Sequence, residues 1–135
     1  MEGREQVFSN SHSWIFASLS GGSEAGSTLV DIVRNADMLN HAVPTIDEVV
    51  GAIETLHSHG LIRIGKSRIA LTAHGQKVLA SGRARRGGLS KVIENVGKAL
   101  NSPVFNHPAI AGQADTAFLT DEAFSAAYAE YTGKS

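Results

Sequence analysis

The sequence predicts a mainly α-helical fold that carries one two-stranded antiparallel hairpin. Three observations lead there. Ile46, Val49, Val50, Ile53 and Leu56 recur at helical spacing behind Thr45 and Glu48, which stand three apart as a capping-box pair does. Gly60 closes that helix, and Leu61-Ile62-Arg63-Ile64 and Arg68-Ile69-Ala70-Leu71 then alternate with period two about Gly65-Lys66-Ser67. Apolar stripes of helical period recur on both sides: Leu29, Ile32, Val33, Ala36 and Leu39 before it, and Leu89, Val92, Ile93, Val96 and Leu100 after it.

Taken in order, the first ten residues are polar and are expected to fray. Ser11 or Ser13 starts a first helix through Trp14, Ile15, Phe16 and Leu19, and residues 21–27 form a loop flexible by composition. Thr28 caps the second helix. Pro44 keeps Val43 out of helical conformation and leaves Thr45 to begin the third, over residues 45–59. Thr72 caps a fourth helix from Ala73 to about Ala84, weakened by Gly82 and broken near Gly87. Residues 89–100 form a fifth helix and residues 101–117 are irregular. Thr120 caps the last helix, where Phe124, Tyr128 and Tyr131 stand at i, i+4 and i+7. Trp14, Val49, Ile53, Leu56, Ile62, Ile64, Ile69 and Leu71 are the expected core of the helix–hairpin unit.

The order of third helix, hairpin and an "LTxxG" helix start (Leu71, Thr72, Gly75) resembles a winged helix-turn-helix domain over residues 14–80. The resemblance implies three helices plus a two-stranded wing at residues 11–84. Residues 85–135 are then a helical extension that serves dimerisation or packing. It also implies duplex DNA as partner, with the third helix in the major groove and the wing on phosphate or the minor groove. Winged-helix domains serve as protein-docking and dimerisation units as well.

Net charge is only −1, but it is segregated. Residues 1–60 hold two basic and eight acidic side chains, residues 61–100 nine basic against Glu94 alone, and residues 101–135 one basic against four acidic. A local +8 can attract an acidic partner, or it can be neutralised by the acidic helices of the same chain. The absence of cysteine removes disulfides, thiol nucleophiles and thiolate metal sites. With 42% apolar and 19% charged residues, and no apolar run long enough to span a bilayer, a globular cytoplasmic protein without a membrane partner is expected.

The third helix should turn Asp47, Glu48, Gly51, Ala52, Glu54, Thr55 and Ser58 outward. None of these is the Arg, Lys, Asn or Gln that usually reads guanine or adenine. Thr55 and Ser58, with His57 and His59, are the available hydrogen-bonding readers. Phosphate contacts fall to Arg63, Lys66 and Arg68 on the wing and to Arg83, Arg85, Arg86 and Lys91 beyond it. The expected function is therefore non-enzymatic: a DNA-associated or transcription-regulatory protein weak in base-specific readout. The alternative is a protein-interaction module without DNA binding, and the Phe124/Tyr128/Tyr131 stripe suits a homodimer or another protein. No metal or other cofactor is expected. His57 and His59 stand two apart, where one helix cannot aim both at an ion, and a site would need His41 or His74 brought in by the fold. Residues 21–28 approach a phosphate-binding loop, but Ser27 stands where lysine is required and a helix precedes the loop instead of a strand. No nucleophile-elbow pattern places a Ser–His–Asp set.

Overall fold

Hydroxyl side chains set the helix starts. In the computed structural model, which describes residues 8–19, 26–110 and 112–133, Thr28, Thr45, Thr72 and Thr120 each accept a backbone N–H three residues on. Thr28 with Asp31 and Thr45 with Glu48 complete reciprocal capping boxes. The elements are α1 (Asn10–Ala17), α2 (Leu29–Asn40), α3 (Ile46–Ser58), β1 (Ile62–Gly65), β2 (Arg68–Leu71), α4 (Ala73–Arg83), α5 (Val92–Leu100) and α6 (Asp121–Thr132).

The first helix starts earlier than expected. Ser9 is its cap, and His12 plays the part usually given to Glu or Gln, its Nδ1 accepting the Ser9 N–H at 3.1 Å. Phe8, expected in a frayed end, is buried. The Asn101 side chain holds it at both backbone groups, accepting the Phe8 N–H at 3.2 Å and donating to the Phe8 carbonyl at 3.1 Å.

Gly60 adopts φ +73° and completes a Schellman cap of α3: the Leu61 N–H reaches the Leu56 carbonyl and the Gly60 N–H the His57 carbonyl. The hairpin turn is tighter than expected. Gly65 pairs with Arg68 as the last rung, so only Lys66 and Ser67 make the turn, both at positive φ, as in a type I′ turn. Ile64 and Leu71, expected in the core, are half-buried, each opposite a buried cross-strand partner, Ile69 and Ile62. The presumed flexible loop ends in structure: Ser27 exchanges both backbone hydrogen bonds with Ile69 and adds a rung to the hairpin. Residues 21–25 of that loop lie outside the described residues.

The glycine of the LTxxG segment has a packing reason. A Cβ at Gly75 would stand 2.0 Å from the Leu61 carbonyl oxygen, so only glycine lets α4 start against the hairpin. Thr72 fixes the same junction, its Oγ1 donating to the Gly60 carbonyl at 2.6 Å. Gly82, expected only to weaken α4, instead admits α5, whose Val96 Cα would lie 2.7 Å from an added Cβ.

The α5 helix begins later than expected. Leu89–Lys91 form a 3₁₀ turn after two positive-φ glycines, which swings Leu89 off the apolar face and leaves it exposed. α5 packs on α1 and α4, α1 on α3, and α6 on α2. One buried cluster runs from Phe16, Ile53, Leu56 and Ile69 through Val96 and Leu100 to Leu119, on both sides of residue 85. Among the described residues no helix is long and apolar enough to cross a membrane.

Candidate nucleic-acid interface

The outer face of α3 is acidic and largely committed to its own fold. Asp47, Glu54 and Ser58 are exposed, Glu48 and Thr55 half-buried, and Ala52, expected outward, is fully buried between Val49 and Leu56 on the core stripe. The Glu48 carboxylate accepts from the Thr45 N–H at 2.9 Å and from the Ser11 hydroxyl at 3.3 Å, so it ties α3 to α1. The Ser58 hydroxyl donates to the Thr55 carbonyl at 2.9 Å. His57 has a buried Nδ1 with no partner, and His59 lies edge-on to Phe8. Four expected readers are thus brought to one helix end, with Ser58 and His59 already occupied there.

A segment read only as irregular covers this same end. The Ile110 N–H donates to the Ser58 carbonyl at 3.0 Å, and Pro108 packs so closely on Gly60 that an added Cβ there would stand 2.5 Å from its Cγ. Two prolines and no periodicity gave the sequence no signal for this strap.

The basic residues fall into two groups at opposite ends of α4. Arg63, Lys66 and Arg68 are exposed on the hairpin, with Lys66 at its tip. Arg63 donates to the Leu71 carbonyl and Arg68 to the Gly26 carbonyl, each at 3.3 Å. A carbonyl steadies a guanidinium without cancelling its charge. Arg83, Arg85 and Arg86 are exposed at the other end, where the Arg86 carbonyl accepts from Asn95. The 11 residues of α4, which run from the hairpin's end to Arg83, span about 16 Å at 1.5 Å per residue. Lys91 is paired differently: it and Lys98 flank Glu94 at 3.5 and 3.4 Å. That pairing holds the Glu94 carboxyl below its ordinary range, through the Lys98 hydrogen bond first and Lys91 second.

The aromatic stripe of α6 does not form one open face. Phe124 packs against the core, Tyr131 donates to Asp37 of α2 at 2.6 Å, and Tyr128 is exposed. Between α2, β2 and α4 runs a groove of about 530 Å³ that includes Met38, Leu39, Leu71, Leu79, Leu89 and Arg83.

No family model, no curated protein and no solved structure matches this chain.

Proposed function

We propose that this chain is a winged-helix protein that holds nucleic-acid backbone through its wing and the end of α4, with little base readout and no enzymatic activity. The observation that carries the reading is the division of labour between α3 and its surroundings. α3 presents carboxylates, and its Ser58 hydroxyl is spent on the Thr55 carbonyl, while Arg63, Lys66 and Arg68 stand exposed beside it. Phosphate contacts of this kind position a duplex without reading its sequence.

A titration against random duplex DNA at several salt concentrations tests it. With four to six phosphates contacted, log K should fall with log salt at a slope of roughly −3.5 to −5.5. Changing Arg83, Arg85 and Arg86 together to alanine should flatten that slope by up to about 3 units. A slope left unchanged would assign the contacts to the wing alone. No detectable binding at low salt with micromolar protein overturns the proposal. The groove favours a second reading, docking of another protein, since Met38 and Leu89 on its rim are 55% and 53% exposed.

A further inference from the structure

Where the strap crosses the end of α3, three imidazoles gather: His59 at the C-cap of α3, His74 in the first turn of α4 and His107 on the strap. His74 Nε2 and His107 Nδ1 are 2.7 Å apart, and His107 Nε2 lies 2.8 Å from the Leu100 carbonyl oxygen. A carbonyl only accepts, so His107 Nε2 carries a proton and donates to Leu100. In the neutral ring, His107 Nδ1 is then a lone pair, and His74 Nε2–H donates to it.

The proton count of this pair is limited. One added proton is accommodated, on His74 Nδ1 away from the bond, or on His107 Nδ1 if His74 turns to its other tautomer. A second added proton puts an N–H on both facing nitrogens and two positive charges across 2.7 Å. We propose that the His74–His107 hydrogen bond is an acid-released latch, which holds residues 105–110 over the end of α3 and lets them go when both rings are protonated. Release would uncover Gly60 and the Ser58 carbonyl, the end of the helix that the wing adjoins.

The surroundings favour release over tolerance of charge. His59, ring centroid 6.3 Å from His107, and Lys77 face the pair from α3 and α4. Phe8 stands edge-on to His12, His59 and His107, and Phe105 to His74. No carboxylate is among the groups that shift His59 or His74. Both are held below the ordinary imidazole value of 6.5, first by burial and then by His107, with Lys77 added for His74. Lowered values mean that the closed strap binds fewer protons than the open one. Its stability is therefore whole above pH 6.5 and is lost as pH falls through the lowered values. Metal binding is a poor competitor: among the described residues no group of three His, Asp or Glu is placed to hold an ion.

Hydrogen exchange of the Ile110 amide in the full chain reads the latch directly, because its acceptor is the Ser58 carbonyl. Corrected for intrinsic rates, its protection should fall severalfold between about pH 7.5 and pH 5, because the open strap binds more protons than the closed one. The Ile53 amide, in the core of α3, should keep its protection. In His74→Gln the amide can still donate to His107 but cannot take a proton, so Ile110 protection should stay level with pH. Imidazole nitrogen shifts of the wild-type chain supply a readout that needs no variant, and the neutral His107 ring should show the Nε2–H tautomer. Three results would overturn the proposal: pH-independent Ile110 protection in the wild type, an undiminished pH response in His74→Gln, or an Nδ1–H tautomer at His107.

Discussion

The segment from Thr45 to Gly75 and the segment from Asn101 to Gly133 hold themselves in place by different means. In the first, partners are near in sequence. Thr45 and Glu48 cap α3, Leu56 and Leu61 close it, β1 pairs with the β2 that follows two residues later, and Thr72 caps α4. In the second, Leu119 and Ala127 are buried, but the polar fixings are single long-range bonds: Asn101 to Phe8, His107 to His74, Ile110 to Ser58 and Tyr131 to Asp37. The first should unfold with the core as one cooperative unit. The second can come away piece by piece while the core stands.

The largest effect tests the first half of that contrast. Ile53 is fully buried in the shared cluster, so Ile53→Ala should cost about 2–5 kcal/mol. In urea, helix signal and Trp14 fluorescence should move to a lower midpoint together. Transitions that separate would show that α3 and the hairpin are not one unit with the core.

That contrast also explains what the sequence disclosed. The hairpin and α2 to α4 were legible because their signals are periodicity and caps, which act over three or four residues. Leu89 and Ala52 were misplaced where the local phase misled: a 3₁₀ turn in one case, the width of the apolar stripe in the other. Among the candidate site residues, the exposure of Arg63, Lys66, Arg68, Arg83, Arg85 and Arg86 follows from charge alone. The strap, the histidine pair and the Tyr131–Asp37 bond join residues 33 to 94 positions apart, and no spacing rule reaches so far.

A smaller effect tests the second half. Tyr131→Phe removes the hydroxyl that donates to Asp37 and leaves Phe124 and the buried Ala127 in place. Amides of α6 should lose protection while those of α3 keep theirs, and the global urea midpoint should stay put. The tyrosine value is raised above 10.0, chiefly by its bond to Asp37, so this contribution is whole below the ordinary value and fails as pH rises through the raised one. Alkali should therefore loosen the wild-type α6 and leave the phenylalanine variant unaffected. A global midpoint shift in Tyr131→Phe would make α6 part of the cooperative core.

The smallest effect lies at the one place where the first segment breaks its own local rules. Lys66 and Ser67 occupy the left-handed region at φ 52° and 61°, where a side chain costs about 1–2 kcal/mol and glycine or asparagine is favoured. Ser67→Gly removes that strain at the turn's second position, but it also gives the unfolded chain more freedom to lose. The net gain should be about 0.5–1 kcal/mol, seen as a higher urea midpoint with an unchanged slope. Because the hairpin belongs to the cooperative unit, the gain should reach the global midpoint and not only the hairpin amides. A variant stabilised only at the hairpin would mean that the hairpin frays independently, and the contrast between the two segments would then fail at its tip. Lys66 should stay in the turn in this test, since it stands beside Ser67 in the same left-handed region and its replacement would change strain at a second position.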